Sequence, residues 1–229
     1  TLVEPDKYQA NGFSVYNIQG GVSRAYQPYI SASLDCTETP GADVVATEFK
    51  FDALGRTVED VVPDADMFGT ASVSRTVYGP LYETYFDYED NDAQSKHLNT
   101  PTTTFSDGLG RVTRIERLLE AAGAPVVSSF TYDQMGHPST HTDDAGNTKR
   151  QINDLLGSIL QIDDLNSGTT LYAYDPLGNK ISETDARGVT LRTLYDEVNR
   201  PVALWEDGNP EETLVSNRYD FYEDCPSGK

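Results

Sequence analysis

The chain has 229 residues, 37% of them hydrophobic, and its 37 Asp and Glu against 17 Lys and Arg leave a formal net charge of −20. That length can bury a core as one large domain or two small ones, but so negative a surface repels phosphate backbones and anionic lipid, which argues against a nucleic-acid partner. No run of about eighteen apolar residues is present to span a membrane, and no charged-then-apolar start marks a signal peptide.

Fourteen Tyr, 18 Gly and 12 Pro point to strands and turns rather than helices. The abrupt start at Thr1 and the end at Cys225-Pro226-Ser227-Gly228-Lys229 read as those of a piece of something longer. Residues 1–43 form an N-terminal segment in which "VYNIQGGVSRAYQPYI" is a degenerate copy of a phrase that recurs later, headed by Tyr16-Asn17 with Gly20 three residues on. Residues 44–229 continue as one array without a flexible linker. "VVATEFKFDALGRTVEDVV" (44–62) reads as strand, turn, strand around Asp52. The span 63–100 is less regular, with "PDADMFG", a strand-like "SVSRTVYGPLYETYFDY" and a polar "EDNDAQSKHLN" expected to be an exposed loop. Residues 101–133 hold Asp107 and Asp133 with a longer insert between them, and 111–118 is read there as strand. The spacing then tightens. Asp133, Asp154, Asp175 and Asp196 stand 21 residues apart, and Asp220 is a looser continuation.

The columns around these aspartates agree. Before them stand Phe51, Tyr132, Tyr174, Tyr195 and Tyr219, with Ser106 and Asn153 as departures. Two residues after them stand Leu54, Leu109, Met135, Leu156, Leu177 and Val198. Three after them stand Gly55, Gly110, Gly136, Gly157 and Gly178, with Asn199 in the last copy, and four after them Arg56, Arg111, His137, Ser158, Asn179 and Arg200. An Asp carboxylate can accept backbone N–H groups further along and so start a turn. The glycine column asks for a left-handed backbone, for which Asn is the best substitute. Together they predict a hairpin loop made of a type I turn and a glycine bulge, with the apolar residue folded back over a core. A second turn falls midway between copies, at "DDAGN" (143–147), "DDLNSG" (163–168), "TDARG" (184–188) and "EDGNP" (206–210). The fold class that follows is all-β, an array of antiparallel β-hairpins stacked into a curved strip, with Leu, Tyr and Phe buried between neighbours.

Carboxylates as numerous as these invite an enzyme reading, with Asp143-Asp144 or Asp163-Asp164 as acid and base. Both pairs fall in turns, where Asp serves the backbone, and a catalytic residue is needed once rather than in every copy. No catalytic residue, cofactor or resident metal is expected. "DYEDND" (87–92) alternates oxygen ligands, but a calcium loop starting at Asp87 would need Gly where Asp92 stands and Glu where Leu98 stands. A looser surface calcium site and an ordinary acidic loop both stay open there. His137 and His141 lie about 13 Å apart along a strand, too far to share a metal. Cys36 and Cys225 have no metal-ligand spacing and read either as a long-range disulfide or as two unpaired thiols. Arg56, Arg111 and Arg200 suit ion pairs with an Asp of the neighbouring copy. Exposed Trp205, Tyr82 and Tyr85 would be the platforms of an alternative, a carbohydrate- or protein-binding adhesion module.

The phrase Phe51-Asp52-Ala53-Leu54-Gly55-Arg56, together with Tyr132–His137, Tyr174–Asn179 and Tyr195–Arg200 and the 21-residue period, resembles the YD-repeat, or Rhs, family. "GGVSRAYQPYISASLDC" (20–36) is similar to the B component of insecticidal toxin complexes or to a related polymorphic toxin. The resemblance implies a β-shell of which this chain is part of the wall, non-enzymatic itself, enclosing a C-terminal toxin domain, and secreted or displayed at a cell surface. Its partners would be the rest of the shell and the enclosed domain, with an end strand open to pairing by another chain. The family's self-cleaving segment has no match here. Asp52, Gly55, Arg56, Asp107, Gly110, Arg111, Tyr132, Asp133, Gly136, Asp154, Gly157, Tyr174, Asp175, Gly178, Tyr195, Asp196, Asn199 and Arg200 are then structural repeat residues.

Overall fold

The computed structural model describes residues 2–4, 7–32, 40, 41, 44–63 and 71–219. Runs of Thr, Tyr, Val and Leu bounded by Asp and Gly form the strands, as their β propensity dictates. In chain order these are β1 (Leu2–Glu4), β2 (Lys7–Ala10), β3 (Ser14–Tyr16), β4 (Val22–Tyr26), β5 (Tyr29–Ser31), β6 (Ala46–Phe51), β7 (Thr57–Val62), β8 (Ser72–Tyr78) and β9 (Tyr82–Phe86). After the single helical turn α1 (Tyr88–Asn91) come β10 (Thr102–Ser106), β11 (Val112–Arg117), β12 (Val126–Tyr132), β13 (Pro138–Thr142), β14 (Thr148–Asn153) and β15 (Ile159–Asp164). The series ends with β16 (Gly168–Tyr174), β17 (Lys180–Thr184), β18 (Thr190–Tyr195), β19 (Pro201–Glu206) and β20 (Thr213–Ser216).

The chain divides into two compact units, Thr1–Val127 and Ser128–Lys229. In the first, β1, β2 and β5 make a small antiparallel sheet. The other strands pair antiparallel in the order β3, β4, β6, β7, β8, β9, β10, β11. The degenerate copy at Tyr16-Asn17 thus lies in the same ladder as the copy at Asp52. The second unit opens within β12, and from there to β20 every strand pairs with the next one in sequence. Among the described residues no register joins β3 to β11 or β12 to β20, so each ladder is an open strip of hairpins. The all-β hairpin fold is as expected.

The registers carry a feature that accounts for the odd period. Tyr132 faces Pro138 while Thr131 faces Thr140, which leaves Ser139 as an extra residue. Leu160, Ile181 and Val202 are the extra residues of the next three hairpins. Ser23, Val58 and Thr113 are those of the first unit. A ladder without such bulges would place equivalent side chains of a 21-residue repeat on opposite faces, because side chains alternate with a period of two. One extra residue per hairpin returns them to the same face.

Each strip presents two unlike faces. In the second unit one face carries hydroxyl pairs across strands, with oxygens 2.6 Å apart at Thr131–Thr140, 2.9 Å at Thr142–Thr148 and 2.8 Å at Thr184–Thr190. Phe130, Ile162, Tyr172 and Leu191 take the other face. In the first unit one face is laced by Arg24–Glu48 at 2.7 Å and by Lys50–Glu59, with Arg75 lying 4.3 Å over the Phe86 ring and Arg114 4.2 Å over Phe105. Ion pairs this exposed are screened by solvent, so they align strands more than they stabilise them.

Two expectations are corrected. No apolar side chain among the described residues is fully buried. Strand residues such as Phe130, Ile162, Tyr172 and Leu191 are half-covered instead of enclosed, since a sheet side chain needs a second layer above it to leave solvent. Second, "EDNDAQSKHLN" is not simply an exposed loop. Asp90, 4% exposed, is its anchor. Asp90 Oδ1 accepts the Thr100 N–H at 2.7 Å and its hydroxyl at 2.8 Å, while Oδ2 accepts the Asp87 N–H at 2.8 Å. Asp87 in turn accepts the Asp90 N–H at 3.0 Å, closing a reciprocal cap on α1. A buried carboxylate is tolerated because each oxygen has a partner.

Candidate functional site

The recurring aspartates head a single loop geometry. In the copy at Asp175, the Gly178 N–H donates to the Asp175 carbonyl at 3.0 Å and the Asp175 N–H donates to the Asn179 carbonyl at 3.0 Å. The carboxylate completes it, its Oδ1 accepting the Leu177 and Asn179 N–H groups, each at 2.9 Å. The same set of bonds closes the loops at Asp52, Asp107, Asp133, Asp154 and Asp196. This is a type I turn followed by a glycine bulge. The bulge residue is left-handed in every copy: φ is +80° at Gly55, +79° at Gly110, +92° at Gly136, +90° at Gly157, +86° at Gly178 and +65° at Asn199. Asn17 heads the same loop in the degenerate copy, with Gly20 at +84°.

The midway turns repeat the device. Asp143 and Asp185 close identical rings with Gly146 and Gly188, at φ +82° and +81°. A D-x-x-G pattern was readable at both places. Asp164 differs, taking the Asn166 and Ser167 N–H groups and ending at Gly168, and the turn at Asp207–Gly208 differs again.

These bonds set the charge state. The Arg56 backbone N–H, then its guanidinium and the Leu54 N–H, hold Asp52 below the ordinary carboxylate range. Asp107 is lowered first by the Arg111 side chain, Asp154 by the Ser158 N–H, Asp175 by the Asn179 amide and Asp196 by the Arg200 N–H. At Asp133 burial pushes upward, but the His137 and Met135 N–H groups and the His137 ring outweigh it. Carboxylates held this firmly ionised are poor proton donors near neutrality.

Arg56, Arg111 and Arg200 make ion pairs within their own loops, to Asp52, Asp107 and Asp196. The loop curls the fourth residue back onto the first, so the shorter reach wins. Arg56 also lies over the Tyr78 ring, 4.2 Å from its centroid, and Arg200 over the Tyr219 ring, 4.4 Å away, and hydrogen bonds add further links between copies. The Tyr195 hydroxyl donates to the Lys180 carbonyl at 3.0 Å, and the Tyr219 hydroxyl to the Pro201 carbonyl at 3.0 Å. Each accepting residue stands five after the preceding aspartate. Asn153, the departure in the aromatic column, makes the same latch, its Nδ2 donating to the Pro138 carbonyl at 2.8 Å. Loops also touch directly. Asn179 donates to Asn199 Oδ1 at 2.9 Å, and a Cβ on Gly157 would lie 3.0 Å from His137 Nε2.

The apolar column does not fold over a core. Leu54 is 78% exposed, Leu109 79%, Met135 61%, Leu156 91%, Leu177 74% and Val198 65%. They stand at the loop tip, beyond the last strand pair, on the solvent side.

The other sequence candidates do not assemble into a reactive site. Asp143 is occupied by the Asn147 N–H and side-chain amide, each at 2.8 Å, and Asp163 by Gln161 and Thr169. No group of three His, Cys, Asp or Glu residues among the described ones is placed to hold a metal. Tyr82 and Tyr85 fall on opposite faces of β9 and so share no platform, and Trp205 in the second unit is half-buried. Cys36, Cys225 and Asp220 lie outside the described residues.

No protein-family model matches the sequence, and no curated protein matches it. Solved structures do resemble it. The crystal structure of TcdB2-TccC3 with Cdc42 superposes with a TM-score of 0.72 at 22% identity, covering 90% of this chain and 11% of that one. TcdB2-TccC3 without its hypervariable C-terminal region gives 0.72 at 21% identity, over 88% of this chain and 10% of that one. The Photorhabdus luminescens Tc holotoxin pore, carrying a mutated TccC3, gives 0.70 at 19% identity, over 93% and 11%. The chain therefore has the fold of a stretch of these toxin-complex chains and spans only a small part of their length.

Proposed function

We propose that the chain is a structural, non-enzymatic piece of a YD-repeat, or Rhs-type, shell wall. The observation that carries this reading is the row of exposed apolar loop tips on an open strip in which no described apolar side chain is fully buried. In the second unit Met135, Leu156, Leu177 and Val198 recur every two strands, about 10 Å apart. Such a row is a poor surface for water and a good edge for contact with a further length of hairpins. The wall in this reading encloses a C-terminal toxin domain, and its partners are the rest of the shell and that cargo. The assembly is secreted or surface-displayed.

Photo-cross-linking from positions 156 and 177 in the assembled protein tests the reading. Adducts with loop residues of another hairpin stretch are expected. Adducts only with solvent or with an unrelated soluble domain would sink it.

A further inference from the structure

The second unit holds a cavity of about 300 Å³ on the face of the strip that carries Phe130. Its origin is local. At the bulge of each hairpin stands one extra residue, and Leu160, Ile181 and Val202 fill that place with apolar bulk in three successive hairpins. In β13 the place falls to Ser139, and the missing volume opens between β12 and β14.

The walls around the gap differ in chemistry. Phe130 and His141 stand stacked, ring centroids 4.8 Å apart and 6° from parallel, with Tyr132 and Pro138 beside them. Across from these lie Lys149 and Gln151. The Gln151 amide is held in place, since its Nε2 donates to Asn153 Oδ1 at 2.7 Å while Asn153 Nδ2 is itself anchored on the Pro138 carbonyl. Lys149 already has a counter-charge in Asp164 at 3.4 Å, so it offers N–H donors more than net charge.

We propose that this cavity binds a neutral pyranose ring. A pyranose is the ligand class that matches both walls. One ring surface bears C–H groups, which pack on π faces and on proline. Its edge bears hydroxyls, which need a fixed amide carbonyl and N–H donors at one side. The volume is at the lower end of small-ligand sites, enough for one sugar unit. The site is independent of the wall reading, and it lies on the face opposite Trp205.

Saturation-transfer NMR on the 229-residue chain with the methyl glycosides of mannose, galactose and glucose tests it. At least one should receive transfer, with a Kd on the order of 1 mM. Ser139→Ile restores the bulk seen at Ile181 and should weaken binding at least about tenfold, with the melting temperature unchanged or raised. Gln151→Ala leaves the cavity open and should weaken binding too, while Trp205→Ala should not. Absence of transfer to all three sugars, or undiminished transfer in both Ser139→Ile and Gln151→Ala, overturns the proposal. So does capture of phenylalanine amide in preference to every sugar, which would mark the cavity as a seat for an apolar side chain.

Discussion

The two edges of the second unit's strip close their chains with one device and differ in what they show to solvent. On one edge the loops headed by Asp133, Asp154, Asp175 and Asp196 carry Met135, Leu156, Leu177 and Val198 at the tip. On the other, the loops headed by Asp143 and Asp185 make the same hydrogen bonds and carry Ala145 and Arg187 at that position, while Leu165 is an exposed apolar residue of the differently shaped turn after Asp164. The backbone geometry is therefore indifferent to the tip residue. The large apolar tips recur in that column on one edge, the edge that the proposed wall places in contact. The latches separate the edges as well, for Tyr195 and Asn153 bind carbonyls that follow only the apolar-tipped loops.

Acid should produce the largest effect, because it acts on both edges together. The loop aspartates on either edge have folded-state pKa values below their ordinary one. Their contribution is fully present above the unfolded value of about 4 and is lost as pH falls from there through the folded values. Thermal melts should thus be flat between neutrality and about pH 5 and drop steeply below pH 4. A strip equally stable at pH 3 would mean the carboxylates do not hold the loops. Next in size are the glycines. Gly178→Val and Gly188→Val, on opposite edges at φ +86° and +81°, should each cost about 2 kcal/mol. Urea titrations that separate the two by more than about 1 kcal/mol would break the claim of one shared device.

Tyr195→Phe should cost about 1 kcal/mol, the worth of one hydrogen bond, and should loosen only the apolar-tipped side in hydrogen exchange. The smallest effect belongs to the tips. Leu156→Ser with Leu177→Ser should leave the chain's own stability within about 0.5 kcal/mol while reducing cross-linking in the assembly. A larger loss would show that the tips do pack on something within the chain.

Much of this was legible in the residues. Asp175, Leu177, Gly178 and Asn179 state the loop almost completely, and Asn199 in the glycine column adopts the expected left-handed φ of +65°. What stayed hidden depends on pairing between strands. The partner of Arg56 was misjudged because a linear sequence does not show that the fourth residue curls back to the first. Asn153 read as a departure from the aromatic column, although its amide reaches the kind of carbonyl that Tyr195 reaches. The bulge residues Ser139, Leu160, Ile181 and Val202 had a numerical trace, since an odd period cannot keep faces constant without one unpaired residue. Asp90 left no trace, because nothing in "DYEDND" distinguishes a carboxylate that anchors a loop from its solvated neighbours.

The bulge also sets how such a strip can lengthen. Removing or adding one residue between loops would exchange the hydroxyl-rich face for the aromatic one from that point onward. Adding a single strand would move the apolar tips to the wrong edge. Whole hairpins that keep the pairing parity preserve faces and edges together, whether the copies stand 21 residues apart as in the second unit or 35 and 55 apart as at Asn17, Asp52 and Asp107. Growth and deletion in this architecture are therefore quantised, and its length is counted in hairpins rather than in amino acids.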